Sequence, residues 1–330
     1  MKILQYKSYS TSILLLLLLL PCLSHADKPF ERMVVFGDSL SDPGNAFFLT
    51  GRKLKPPYDT LDAFLIPDAP YARGGNHFSN GETWVEQFAE PLDLGDSTGP
   101  AFKGENEDEL KMTNYAVGGA RAHEDSININ LASQVGAFFA DSGGIASSDA
   151  LYVVALGGND IRDAIAAFAI DNTGAASSEI LTKALTAISD NIIALYSAGA
   201  RKMMIGNAPD VSLTPAIRRL DLVAPGTSLA ALLLSAGFNS QLDLALNKLS
   251  NELAGLEIAQ LNLFTSMQDL VTNPREYGLK NVENACVMPN QKPAACKKPK
   301  RYLFWDGIHP TKAAHRILAS KAHIALMQIN

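Results

Sequence analysis

The sequence predicts an α/β protein, a three-layer α/β/α sandwich built on a parallel sheet. Five short apolar runs rich in β-forming residues recur along the chain, at Met33 to Phe36, Thr113 to Val117, Ala150 to Leu156, Lys202 to Ile205 and Glu257 to Leu263. Each has the hydrophobicity of a parallel strand buried on both faces. Between and after them lie segments with a recurring apolar face, so strands and helices alternate. The residues that follow the runs are small or chemically competent polar ones, which is where an open parallel sheet places its ligand crevice.

From the N-terminus, the chain opens with MKILQYKSYSTSILLLLLLLPCLSHA. Lys2 and Lys7, the apolar run Ile13 to Leu20 and the small-residue exit Ser24-His25-Ala26 read as a secretory signal peptide cleaved after Ala26. A membrane span needs roughly 20 apolar residues, more than this run offers, and Cys22 after Pro21 lacks the small neighbour of a lipidated cysteine. The expectation is a signal peptide over 1–26, one domain over 27–330, and a secreted protein, periplasmic or extracellular. Losing two lysines and no acid makes the chain more acidic than its overall net charge of −6. No basic stripe follows a phosphate backbone, which argues against nucleic-acid binding.

The first run leads into GDSLSDPGN, residues 37–45, where Gly37 permits a tight turn and Ser39 sits at the strand end. The stretch from Ala46 to Asn80 is long for a connection, since loops beyond about 12–15 residues are usually functional or disordered. Phe47, Tyr58, Phe64, Ile66, Tyr71 and Phe78 make it too apolar for disorder. Directly after Ser39, it reads as a wall or lid for an acyl chain. A helix follows over Trp84 to Ala89. GDSTG at 95–99 matches G-x-S-x-G literally, but Ser97 lies between Pro91 and Pro100, not between a strand and a helix as that nucleophile elbow requires.

The second run leads into GGAR and a helix over Leu131 to Phe139, the third into GGND and a helix over Ile180 to Tyr196, the fourth into GNAPDVS and a helix over Leu229 to Leu253. After the fifth come Cys286 and Cys296, the loop FWDGIHPT and a final helix over Lys312 to Met327. Once Cys22 leaves with the signal, Cys286 and Cys296 remain as an even pair in an oxidising compartment, so a disulfide between them is expected. The bridged segment reads as a staple or as an exposed cover near the rim that an activating protease cuts, the disulfide keeping the two pieces attached.

A serine nucleophile needs a base within hydrogen-bond reach, a group that orients the base, and donors for the developing oxyanion. Ser39 at a strand end is the candidate nucleophile, His309 in DGIHP the base, and Asp306, three residues earlier, its orienting carboxylate. Backbone N–H groups at Gly119, next to Gly118, and at Ser39, with the side-chain amide of Asn159, are the oxyanion candidates.

GDSL at 37–40, the glycine of NYAVGGA, the asparagine of GGND and the Asp-x-x-His of DGIH at 306–309 stand in the order of the GDSL (SGNH) hydrolases, which the chain resembles across its length after the leader. FSNGETWVE at 78–86 is similar to a further stretch of longer bacterial and plant lipolytic members. The resemblance implies a flavodoxin-like sheet, no cofactor, and ester hydrolysis with Ser39, Gly119, Asn159 and His309 in the four named roles, supported by Asp306. The expected partner is a lipid ester, as in a phospholipase A, a lysophospholipase or a glycerophospholipid:cholesterol acyltransferase-like enzyme, with transient contact to a membrane surface. An acyl-enzyme is resolved by whichever nucleophile reaches it, water or an alcohol such as a sterol. A carbohydrate or short-chain ester deacetylase and a catalytically silent binding protein are the alternatives.

Singly, each residue has a plainer reading: Ser39 as a helix cap, Gly118 and Gly119 as close-packing positions, Asn159 as a turn holder, His309 as a loop histidine. Their joint order at the ends of parallel strands favours catalysis. His315 and His323 are expected on the solvated side of the last helix, and His77 and His123 in surface loops near the rim. Asp38 and Asp42 are expected to tie the turn through backbone N–H groups. No Cys/His/carboxylate spacing suggests a metal site.

Overall fold

The computed structural model describes Met1, residues 30–104 and residues 111–329. The expected signal peptide lies outside the described residues except for Met1. Four strands, β1 (Met33–Gly37), β2 (Leu151–Ala155), β3 (Lys202–Gly206) and β4 (Glu257–Leu261), form a parallel sheet in that spatial order. Gly37, Ala155, Gly206 and Leu261 stand in register, so the loops beyond them share one rim.

Thr113 to Val117 is the expected strand that does not form a regular one. It still runs along the free edge of β1, with hydrogen bonds from Val35 N to Thr113 O (2.9 Å), Tyr115 N to Val35 O (2.8 Å) and Val117 N to Gly37 O (3.1 Å). Asn114 breaks the regularity: its side-chain oxygen takes Ala116 N–H, and its carbonyl is taken by Ala101 N–H and the Asn45 amide. The fifth run also stops early. Asn262 accepts the N–H of Thr265 and caps the next helix, so Leu263 is helical.

Successive strand residues face opposite layers, as the period of two requires. Val34, Phe36, Tyr152, Val154, Met203 and Ile205 pack with α3 (Leu131–Asp141), α4 (Gly158–Ile170), α5 (Ala175–Ala198) and α7 (Thr227–Glu252). Met33, Val35, Leu151, Val153 and Met204 pack on the other face with α2 (Trp84–Ala89), α8 (Leu263–Thr272) and α9 (Lys312–Leu326). These are the three layers the alternation predicts. Helices α4 and α8 were not expected, nor were the short helices α1 (Asn45–Thr50) and α6 (Pro215–Val223).

A two-stranded parallel pair, β5 (Asn281–Ala285) and β6 (Tyr302–Phe304), precedes DGIH. Cys286 and Cys296 are joined by a disulfide. The residues between them turn back on themselves, with Val287 facing Ala295, and Val287 N donates to Trp305 O at 2.9 Å.

Candidate active site

Strand β1 ends at Gly37, where a Cβ would press on Ser41 and on the Ala155 carbonyl at 3.2 Å, so glycine is what lets the chain turn beside β2. Asp38 closes the turn through its backbone oxygen to Ser41 N and its side chain to Leu40 N. Asp42 accepts N–H bonds from Gly44, Asn45, Ala46 and Gly118, fastening the start of α1 to the end of the neighbouring edge segment. Both aspartates hold turns as expected. Burial pushes each carboxyl up to about 6, against the backbone donors that favour the charged form.

The turn leaves Ser39 Oγ 2.7 Å from His309 Nε2, and His309 Nδ1 lies 2.8 Å from Asp306 Oδ2. With Nδ1–H donating to the carboxylate, Nε2 is free to accept the serine proton. Asp306 Oδ1 accepts the N–H groups of Ile308 (2.9 Å) and His309 (2.7 Å), which is how three residues of spacing bring carboxylate and imidazole together. All three side chains are buried. Gly307 fits because a Cβ there would lie 2.0 Å from the Phe64 carbonyl, so the long loop after Ser39 packs directly on the histidine loop. Sequence reasoning missed one contact altogether: the buried Tyr71 hydroxyl donates to Asp306 Oδ2 at 2.9 Å.

On the opposite side, Gly119 has φ +84° in the edge segment's final turn. A Cβ on Gly118 would come within 2.1 Å of the Phe78 ring, whose centroid is 5.4 Å from that of His309. Asn159 stands in the first turn of α4 with Nδ2 donating to Ala120 O at 2.9 Å. The buried Asp160 accepts the N–H groups of Ala122 and His123 and meets His123 Nδ1 at 2.7 Å, fixing the segment after Gly119 to the same helix. A cavity of about 70 Å³ at Ser39 is lined by Asn159, Arg162, Ile66, Ile217 and His309 among others; Gly119 is outside that lining. It shares Ile66, Arg162, Ala216 and Ile217 with a larger apolar groove of about 610 Å³ between the long loop, α4, α6 and α7.

Three histidines depart from expectation. His315 is buried, accepts Trp84 N–H on Nδ1, and is pushed down to about 3 by burial and then by His309 and His77. It stands on the same face of α9 as Leu318, Ala319 and Ala322, so the helix's 3.6-residue period already places it in the layer contact with α2. His323 is partly buried with its ring 4.7 Å from that of Phe88. His77 is buried against Glu86, which raises the imidazole pKa despite the lowering effect of burial. Ser97 is structural: its Oγ donates to Leu94 O and accepts Met33 N–H.

A parallel α/β sheet whose strand-end serine is hydrogen-bonded to a histidine and, through it, to an aspartate has the arrangement of a serine hydrolase. The chain belongs to the GDSL-like lipase/acylhydrolase family, whose model matches residues 33–322. It is similar to GDSL esterase/lipases of Arabidopsis thaliana. One is 26% identical over 320 residues, covering 88% of this chain and 84% of that protein, and another is 26% identical over 322 residues, covering 87% and 86%. Among solved structures it is similar to a member of the lipolytic G-D-S-L family from Veillonella parvula, at 14% identity and a TM-score of 0.41, covering 89% of this chain and 96% of that one.

Proposed function

We propose that the chain is a secreted serine esterase that cleaves lipid carboxylic esters, as a phospholipase A or lysophospholipase does. The observation that carries this reading is the unbroken hydrogen-bonded path Ser39–His309–Asp306 beside an apolar groove. Ser39 Oγ attacks the ester carbonyl while His309 Nε2 takes its proton. Asp306 holds the Nδ1–H and stabilises the imidazolium without taking the proton itself. Asn159 Nδ2–H, with the backbone N–H groups of Gly119 and Ser39, receives the oxyanion. His309 then returns the proton to the leaving alcohol, and water or another alcohol resolves the acyl-enzyme.

The groove supports a long acyl chain, and so does its surround. Ile170, Leu222, Val223, Leu229 and Leu233 are exposed apolar residues beside the groove's lining positions, a disposition suited to transient contact with a lipid surface. The small cavity at Ser39 favours a second reading, a short-chain or carbohydrate deacetylase, since about 70 Å³ suits an acetyl group. A panel of phospholipids, lysophospholipids and acetylated sugars separates the two readings. Ser39→Ala is expected to abolish both hydrolysis and fluorophosphonate labelling. Retained labelling in that variant would place the nucleophile elsewhere.

A further inference from the structure

Arg162 is a partly buried cation on α4 whose charge has no ion-pair partner among the described residues. It lines both the Ser39 cavity and the apolar groove. Its one hydrogen bond to a described residue runs from Nη1 to Asn159 Oδ1 at 3.0 Å, and no described carboxylate forms an ion pair with it. Asp163, Asp62 and Asp38 act on it only through space, and Asp163 already forms a two-pronged pair with Arg121. Burial, and then Arg121, pull the guanidinium pKa down. Drawing a charge even partly out of water is costly unless polar partners offset it.

What Arg162 touches gives the use. An asparagine amide is ambiguous unless its surroundings distinguish oxygen from nitrogen, and here they do so on both sides. Asn159 Nδ2 donates to a carbonyl that can only accept, Ala120 O, and Oδ1 accepts from a guanidinium that can only donate. Flipping the amide would set oxygen against oxygen and N–H against N–H. The side chain is therefore locked with its second Nδ2 hydrogen unused by any described residue, in a residue that lines the cavity at Ser39.

We propose that Arg162 is a positioning residue for the ester hydrolysis: it locks the Asn159 amide in its donating orientation and, by pulling electron density toward Oδ1, strengthens the N–H offered to the oxyanion. This rests on the reading of Asn159 as an oxyanion donor. The benefit appears only when negative charge develops on the attacked carbonyl, so it belongs to kcat and not to ground-state binding.

A double-mutant cycle on a neutral, soluble short-chain ester tests it. Asn159→Ala is expected to lower kcat about 10²–10³-fold, as loss of one oxyanion donor does. Arg162→Met alone should lower kcat roughly 10–100-fold with KM changed less than about threefold, and should add less than about threefold in the Asn159→Ala background. Arg162→Lys keeps the charge and one donor, and should recover part of the loss while being the variant most certain to fold. Equal losses from Arg162→Met in both backgrounds, or an effect confined to KM or to phosphate-bearing substrates, would overturn the proposal and make Arg162 a structural or headgroup residue. Full kcat in Asn159→Ala would remove the oxyanion reading itself, and with it the role given to Arg162.

Discussion

Asp306 is held by more than the histidine it orients. Two backbone N–H groups, His309 Nδ1 and the Tyr71 hydroxyl converge on its two oxygens, so Tyr71→Phe should lower kcat only about 3–10-fold while the remaining bonds keep the carboxylate in place. His309→Ala should be far more severe, and steady-state kinetics on one soluble ester compares the two. Beside the nucleophile, Asp38 carries a pH dependence of stability. Its carboxyl rises from 3.8 when exposed to about 6 in the fold because burial disfavours the charge. Its contribution is thus fully present below the unfolded value and is lost as pH rises through the folded one. Asp38→Asn keeps an acceptor for Leu40 N–H and cannot ionise, so its Tm should fall less than that of the parent between pH 4 and 7. Parallel slopes would show that Asp38 does not titrate in this range.

At the scale of elements, legibility followed chain-local signals. GDSL, GGND and DGIH could be placed because each lies just past or near an apolar run, and the strand period of two or the helix period around 3.6 marks those runs without any tertiary knowledge. Tyr71 could not be seen on Asp306, 235 residues away, because nothing in its own loop marks that contact. Helix α6 is short and begins at Pro215 after its cap Thr214, too brief for a periodic signal, yet it supplies Ala216 and Ile217 to both cavities. Thr113 to Val117 has a strand's composition, but Asn114 diverts the backbone groups a regular ladder needs. GDSTG fails for the converse reason: Ser97 has a motif's letters inside a short 3₁₀ turn that ties Met33 in place. Ser97→Ala should therefore cost about 1–2 kcal/mol of stability and leave kcat near that of the parent. The groove offers a separate test. Ala230 on α7 faces it, so Ala230→Phe should cut the ratio of long-chain to short-chain ester hydrolysis at least tenfold. An unchanged ratio would place the acyl chain elsewhere.

Across the whole molecule, the sheet delivers Ser39 and Asn159 from neighbouring strands β1 and β2, whereas the histidine loop arrives from beyond the sheet and needs its own support. That support is a cluster around Trp305, formed by Leu54, Tyr58, Leu65, Tyr71, Cys286 and Val287. The rings of Tyr58, Tyr71 and Trp305 pack edge to face in sequence, and Cys286 and Val287 donate backbone N–H groups to Trp305 O, one residue before Asp306. The disulfide hairpin borders a different cavity from the one at Ser39, beside Pro56, Tyr58 and Arg73. A removable cover should lie on the catalytic cavity; a staple should lie on the scaffold behind it, and this hairpin has the second position. Replacing both Cys286 and Cys296 with serine removes a cross-link of sequence separation 10, worth about 3 kcal/mol in the chain-entropy model, or roughly 4–5 °C in Tm for a chain of this size. Because the hairpin props Trp305, the variant should also lose kcat on short and long esters by the same factor. Cleavage between Cys286 and Cys296 with the bond intact separates staple from cover: unchanged activity on long-chain lipids fits a staple, while a rise on lipids alone would show that the hairpin covers the path to Ser39.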